Sequence, residues 1–495
     1  MPAFSDVAGS LTSTKPLINL LRGSAFISYH YYCCPVAIFL LRFALLWPNF
    51  SLLPKHILQK ATNTVLANHA IADPGLEYGP DPGDLKLRKN VASLLTNFYH
   101  FSNPISEDRV CITGGASQNL ACLLQVFTDP VYTRNVWIVA PSYMLAFRIF
   151  DDSGFSTKLR AVPEDEEGID LEFLKREIQK SEEKAEAEGN NRPIFKPARP
   201  WGKVYKHVIY CVPTFSNPSF KTMTVRRREG LVRLAREYDA LIISDDVYDF
   251  LRFPSSLTAE TLTSEKANVP RIVDVDRTLD GGAEREGADG FGNAASNGSF
   301  SKICGPGLRT GWLEGTAKMA YGVSQTGSSR SGGAPSQLTA TFVAEALETG
   351  ELQRHIFDVL QPAYALRYRK MVAAITKYLT PLGVKIPQTD REVVGGYFIW
   401  LTLPQPLKGA VVAQRAKDDE NVIVAQGEIF EVPNDTQNAH FENCLRVCFA
   451  WEDEDLLAEG IERLANVIRA LLSEEQRQEG VKAKVATREG MGEFM

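Results

Sequence analysis

The chain has 495 residues, of which 44% are apolar and 23% charged, with a formal net charge of −6. That length is more than one hydrophobic core ordinarily organises and fits two domains of a soluble globular protein. No basic block favours nucleic acid or an anionic membrane, and the 7 His residues show no metal-ligand spacing.

Near the N-terminus, residues 24–46 include the apolar run Ile38-Phe39-Leu40-Leu41-Arg42-Phe43-Ala44-Leu45-Leu46. A membrane span needs about 20 apolar residues, and this stretch carries His30 and Pro35 early and Arg42 inside it. It also starts too late for a cleaved leader and lacks the flanks of one. Residues 55–100 read as helix, glycine-rich loop and helix. From 110 to 347 apolar strands alternate with helical segments, the pattern of a parallel sheet. Within it, Thr113-Gly114-Gly115-Ala116-Ser117-Gln118 separates an apolar strand from the helical pattern Leu120-Ala121-Cys122-Leu123-Leu124. Residues 180–200 and 280–297 are charged or rich in Gly, Asn and Ser and are expected as projecting loops.

Tyr210-Cys211-Val212-Pro213-Thr214-Phe215-Ser216-Asn217-Pro218 is an apolar strand ending in Asn-Pro, which reads by itself as a turn. Ala240-Leu241-Ile242-Ile243-Ser244-Asp245-Asp246-Val247-Tyr248 is a buried strand running into two carboxylates and a tyrosine, where open α/β sheets place ligand groups. A carboxylate there can pair with a protonated pyridine nitrogen, and a phenol three residues on can reach a ring hydroxyl. The same pair of carboxylates reads equally as a solvated strand end or a helix N-cap.

The most informative segment is Ser299-Phe300-Ser301-Lys302-Ile303-Cys304-Gly305-Pro306-Gly307-Leu308-Arg309-Thr310-Gly311-Trp312. It sets one lysine in a small, glycine-rich turn, with hydroxyls before it and an arginine seven residues after. Lys302 can form a Schiff base with an aldehyde cofactor, while Ser299 and Arg309 meet a phosphate on the same molecule. Beyond it, residues 352–379 read as a long amphipathic helix and Gly395-Gly396-Tyr397-Phe398-Ile399-Trp400-Leu401 as a strand of a smaller domain. Cys444-Leu445-Arg446-Val447-Cys448 sets one arginine in an apolar strand; a lone Arg is ordinarily a surface charge, but one alternating with Leu445 and Val447 is expected to point into a site that binds a carboxylate. Residues 455–472 form a closing helix, and a charged tail follows. The 8 cysteines form no Cys-x-x-Cys pair and read as reduced small hydrophobes of an intracellular protein.

In this order the segments resemble the class I/II aminotransferases of the fold-type I pyridoxal-phosphate superfamily, over nearly the whole chain. The resemblance implies an α/β fold: a large domain with a mostly parallel sheet sandwiched by helices, plus a smaller α+β domain formed by the N-terminal arm and C-terminal part. It implies pyridoxal 5'-phosphate, with Lys302 as its covalent anchor and, once freed, the base that moves a proton. Asp245 would pair with the pyridine nitrogen, Tyr248 and Asn217 would hold the ring oxygen, and Arg446 would bind the substrate's α-carboxylate. Gly115, Ala116 and Ser117 would form the first phosphate loop beside Ser299 and Arg309. Tyr143 would stack on the ring, and Tyr78 would reach the phosphate of the neighbouring subunit in a homodimer. Arg22, in an arm that folds over the substrate in similar enzymes, is a candidate reader of a distal acid or a surface arginine.

Two departures bear on this. The family's Asn-Pro-Thr-Gly turn reads Asn217-Pro218-Ser219-Phe220, so the last glycine is replaced by a bulky aromatic, which is strained if that position needs a positive φ. The spacing from Lys302 to Arg309 resembles the kynurenine and 2-aminoadipate branch. With 24–46 removed, Ile18-Asn19-Leu20-Leu21-Arg22-Gly23 and Trp47-Pro48-Asn49-Phe50 join into one family-like segment. An unremoved intron is therefore the first reading of 24–46, an insertion the second and a membrane anchor the third.

The expected division is an arm and part of the small domain at 1–80, a large cofactor-binding domain at 81–350, a small domain at 351–472 and a flexible tail at 473–495. The expected activity is transfer of an amino group from an aromatic amino acid, 2-aminoadipate or a similar donor to a 2-oxo acid such as 2-oxoglutarate. It is expected in the cytoplasm, without a nucleic-acid or membrane partner. Another enzyme on the same scaffold (a β-lyase, decarboxylase or cyclopropane-forming synthase) is the alternative. A non-catalytic sensor, as in regulators carrying an aminotransferase-like domain, is third; no basic helix-turn-helix segment is evident in the sequence.

Overall fold

A computed structural model describes residues 41–44, 47–256, 265–333, 335–387 and 392–492. The described chain begins with a two-residue strand, β1 (Leu41–Arg42), followed by helices α1 (Lys55–Leu66), α2 (His69–Leu76) and α3 (Leu85–Tyr99). Then come β2 (Val110–Thr113), α4 (Ala116–Phe127), β3 (Asn135–Ala140), α5 (Met144–Phe150), β4 (Leu159–Asp165), β5 (Gly168–Ile169) and α6 (Leu171–Ala187). Next are β6 (His207–Cys211), α7 (Val225–Glu237), β7 (Ala240–Asp245), β8 (Arg252–Pro254), α8 (Ile272–Thr278), β9 (Ala294–Ser299), β10 (Gly311–Glu314), α9 (Ala317–Ser324) and α10 (Gln337–Glu348). The remainder holds α11 (Glu351–Arg354), α12 (Gln361–Ala374), β11 (Val393–Gly395), β12 (Phe398–Thr402), α13 (Gly409–Glu420), β13 (Val422–Ile423), β14 (Ala425–Gln426), β15 (Cys444–Cys448) and α14 (Leu457–Gly492).

Eight strands form the main sheet in the order β2-β10-β9-β7-β6-β3-β4-β5. The central pairs β9/β7, β7/β6, β6/β3 and β3/β4 are parallel, and β10 runs antiparallel between β2 and β9. Side chains alternate across the sheet. Val208, Tyr210, Leu241 and Ile243 pack on one face with α4, α5 and α9, while Ile209, Cys211, Ala240 and Ile242 pack on the other with α6, α7 and α8. Both faces are covered by helices, which is why residues 208–211 and 240–243 form uninterrupted apolar runs. A second layer carries the sheet β12-β15-β14, packed into a core with α12 and α14.

Several boundaries differ from the expectation. Residues 180–187 are helical, because α6 has a real cap and stripe: Asp170 accepts from the Phe173 N–H at 2.9 Å, and Leu174, Ile178 and Ala185 are buried. Its charged residues are the solvent face of a helix. Residues 294–297, expected in a loop, belong to the buried strand β9, whose small polar side chains find partners: Ser296 Oγ donates to Asp246 at 2.5 Å and Asn297 Nδ2 to the Ala116 carbonyl at 3.1 Å. Helix α2 was not expected within 55–100. The 352–379 run is helical throughout but widens into π-turns at His355–Leu360 and Ile375–Leu379. Helix α14 continues past Ser473 to Gly492.

The region 24–46 is described only at 41–44, and that part is built into the core. Strand β1 pairs in parallel with β13, Phe43 is fully buried, and the Phe43 carbonyl accepts from the Cys448 N–H at 2.9 Å. Residues 41–44 of that region therefore take part in the core.

Candidate active site

The carboxyl ends of parallel strands collect ligand groups because their connecting turns open on one edge. Here register aligns Thr113, Gly311 and Ser299 across β2, β10 and β9. Gly311 permits this approach: a Cβ there would lie 2.9 Å from the Gly115 Cα and 3.3 Å from the Ser299 Cα. The N-terminus of α4 thus meets the turn after β9. Gly115 caps α4 at φ 97°, leaving the first-turn N–H groups of Ala116 and Ser117 to face outward. Arg309 closes the cup, its guanidinium donating to the carbonyls of Gly114 and Pro306 at 2.9 Å each, with Ser301 Oγ at 3.5 Å. Ser299 Oγ accepts from the Ser301 N–H at 3.1 Å. Gly115, Ala116, Ser117, Ser299 and Arg309 are therefore brought together, in a cup suited to a phosphate dianion.

Lys302 Nζ lies 5.8 Å and 5.4 Å from the ring centres of Tyr248 and Tyr397, and the Tyr397 hydroxyl donates to the Lys302 carbonyl at 3.1 Å. Burial pulls the Lys302 ammonium down to about 8, with Cys448 and Asp245 opposing the shift. Strand alternation separates the two carboxylates. Asp245 takes the face of Tyr210, whose hydroxyl donates to its Oδ2 at 2.9 Å. Asp246 takes the other face, bonded to Ser244 and Ser296. Burial raises Asp245 to about 6, moderated by Tyr210 and Lys302. Its Oδ1 has no hydrogen-bond partner among the described residues. Tyr143, at the start of α5, is pushed up to about 12 by burial and then by the Asp245 charge, with Arg446 and Arg309 opposing. It stands within electrostatic reach of both ends of the site.

Arg446 sits in the middle of β15, fully buried, opposite Trp400 of β12. One guanidinium nitrogen donates to Asn217 Oδ1 at 2.8 Å and another to the Ala44 carbonyl at 2.9 Å. The rings of Phe398 and Phe430 flank it at 4.1 Å and 4.7 Å. Burial lowers it to about 10, and its Nε has no partner among the described residues. Asn217 lies between two non-glycine residues in the left-handed region, Phe215 at φ 52° and Phe220 at φ 67°. The strain expected at Phe220 is present and is joined by a second strained residue, each costing about 1–3 kcal/mol.

Tyr78 is 88% exposed, with its ring beside Gly332. Arg22 lies outside the described residues. Tyr210, Tyr397, Cys448 and Ala44 join the site without having been singled out. Tyr210 would have been found by pairing β6 with β7 in register, since alternation then puts it on the Asp245 face; the others depend on long-range packing that sequence patterns do not carry.

The donor set fits an aldehyde that bears a phosphate and a basic ring nitrogen. It supplies an anion cup, a buried amine with a depressed pKa and a carboxylate oxygen awaiting a proton-bearing partner. A second buried guanidinium, that of Arg446, stands apart from the cup and could take a carboxylate.

Comparison with known proteins agrees with that chemistry. The family described as aminotransferase class I and II matches residues 49–464. An uncharacterized protein of Saccharomyces cerevisiae is 34% identical over 440 residues, 86% of this chain and 95% of the relative. Aromatic-amino-acid aminotransferase 1 of Thermococcus litoralis is 28% identical over 422 residues, 84% of this chain and 85% of the relative. Among solved structures, Pyrococcus horikoshii kynurenine aminotransferase, in complex with PMP and kynurenine, superposes with a TM-score of 0.67 at 28% identity, covering 88% of this chain and 92% of that one.

Proposed function

The chain belongs to the class I and II aminotransferase family and is a pyridoxal 5'-phosphate-dependent transaminase, and from that premise we propose that its amino donor is an aromatic amino acid, with 2-aminoadipate as a further candidate, and its acceptor 2-oxoglutarate. The observation that carries this reading is Arg446: a buried guanidinium with an unpaired Nε, boxed by Phe398 and Phe430. Its N–H groups suit the donor's α-carboxylate, and the surrounding rings suit an aromatic side chain.

When bound, the cofactor supplies the electron sink that lets the donor's Cα proton leave. In this reading Ser299, Arg309 and the first turn of α4 hold the phosphate. Asp245, fixed by Tyr210, would hold a proton on the ring nitrogen, and Tyr143 would pack against the ring. Tyr248 and the amide N–H of Asn217 meet the ring oxygen; Arg446 already occupies the Asn217 carbonyl and so orients that amide. Lys302 anchors the cofactor and then carries the proton from Cα, as a neutral amine made accessible by its lowered pKa. We further place the enzyme in the cytoplasm as a homodimer whose Tyr78 serves the partner's phosphate, with domains divided near residue 350. Among the described residues no helix is long and apolar enough to cross a membrane.

The test is an amino-donor screen of purified holoenzyme with 2-oxoglutarate, following glutamate and the 2-oxo acid product. Aromatic donors or 2-aminoadipate should lead. Release of ammonia or CO2 without glutamate would overturn the proposal in favour of a lyase or decarboxylase. Lys302→Ala should fold and lose the visible absorbance of the covalently bound cofactor; unchanged absorbance would remove Lys302 from its role.

A further inference from the structure

The loop 215–221 carries Asn217 to Arg446, and two observations set it apart. On one side it borders an open cleft of about 830 Å³ lined by Ser219 and Lys221. On the other, both of its aromatic residues are buried, and both sit at positive φ. Phe215 packs against the double glycine before Tyr397, where a Cβ on Gly395 would come within 2.5 Å of the Phe215 ring. Phe220 stacks on Tyr368 of α12, with ring centres 5.6 Å apart and planes 21° from parallel. Tyr368 in turn packs on Phe449, which follows β15 and the Arg446 strand. Local bonds from the Phe220 N–H to the Ser216 carbonyl and from the Ser216 N–H to the Lys221 carbonyl, each 2.8 Å, close the loop between these anchors.

We propose that Phe220 is a positioning residue for the substrate-carboxylate arginine: its left-handed backbone aims the ring at Tyr368, and that stack fixes the loop so that Asn217 Oδ1 meets Arg446. This rests on the reading of Arg446 as the donor's carboxylate partner. Glycine would relax the backbone at this position. A side chain that is kept there despite strain must return something through its contacts, and here the contact made is with Tyr368. The consequence is a chain of contacts, Phe220–Tyr368–Phe449, that runs from the loop bearing Asn217 to the strand bearing Arg446.

The experiment measures KM and kcat for the amino donor in Phe220→Gly, Phe220→Tyr, Tyr368→Leu and the double Phe220→Gly/Tyr368→Leu, with Arg446→Lys as reference. Phe220→Gly and Tyr368→Leu should each raise KM about tenfold, equivalent to about 1.4 kcal/mol, with kcat within about twofold. Phe220→Tyr should restore KM, and the double variant should be no worse than either single one, since both remove the same contact. Should Phe220→Gly fail to fold, Tyr368→Leu carries the test from the other side. An unmoved KM with only a lowered melting temperature, or effects that add in the double variant, would overturn the inference while a raised KM in Arg446→Lys kept the underlying reading intact. A normal KM in Arg446→Lys would overturn both.

Discussion

Lys302 shows how a single residue links stability to chemistry. Its ammonium is held near 8 by burial, against an ordinary value above 10. Between those values the unfolded chain binds the proton that the native state has lost, so this group's contribution to stability rises with pH from about 8 to about 10.5 and is least favourable below 8. Cofactor-free Lys302→Met, which keeps the stem and drops the charge, should therefore be more stable at pH 7, by up to about 3 kcal/mol. The difference should close as pH approaches 10.5. Parallel urea melts at pH 7 and pH 10 check this, and a pH-independent difference would contradict it. Asp245 should behave differently, because its role needs the bound ring: Asp245→Ala should retain cofactor and lose turnover by on the order of 100-fold. Near-normal turnover would discard the assignment, and Asp246 could not inherit it, since Ser244 and Ser296 hold it on the opposite face of β7. At this scale the sequence singled out Lys302 and Arg309 because their motif names its own chemistry, and the structure brings Arg309 beside the first turn of α4. The sequence was silent on Tyr397 and Cys448, whose roles arise from strands far from the turn they face.

Among the elements, the strands of the main sheet were legible because burial on both faces makes them apolar without interruption. Strand β9 was the exception, since Ala294–Ser299 contains small and polar residues that read as loop until their partners in α4 and β7 are known. Helix α6 was cut short for the opposite reason, its solvent face being as charged as a linker. The N-terminal strand gives the sharpest test. Joining Gly23 to Trp47 shifts Ile18, Asn19 and Leu20 into the places of Leu41, Arg42 and Phe43, restoring an apolar residue at both buried positions. The variant lacking 24–46 should therefore fold and be at least as active and more soluble, whereas a variant lacking 24–44 should not, because Leu45 and Leu46 then displace that register by two residues. Activity and soluble yield of the two deletions decide it. If both are inactive, the segment itself is needed; if both are active, the strand's register is unimportant.

On the scale of the molecule, the fold class was legible as an ordered series of motifs, while the proposed second subunit rests on Tyr78 alone. Its 88% exposure, beside an exposed Leu76, suits a group that works across a subunit boundary. Lys302→Ala and Tyr78→Ala damage the two sides of such a boundary, so co-refolding the two variants should recover activity that neither has alone, up to about a quarter of wild type by random pairing. Absence of recovery, or a fully active monomer in light scattering, would contradict the homodimer. The pairing of β1 with β13 has a temporal side. Leu41 finds Val422 only about 380 residues later in the chain, which at roughly 5–20 residues per second is a wait of roughly 20–75 s on the ribosome. Until then Leu41 and Phe43 have no core to enter, and the carbonyl of Ala44 has no Arg446 to accept from. Strand β1 therefore cannot dock until β13 is made, and on the ribosome the surroundings of Arg446 are completed after the turn that holds Lys302 and Arg309. Trp47 closes edge-on to Trp451 at 5.4 Å at the end of the same wait, and a nascent chain stopped before residue 422 should bind chaperone through Leu41 and Phe43; a stalled chain that binds none would contradict this.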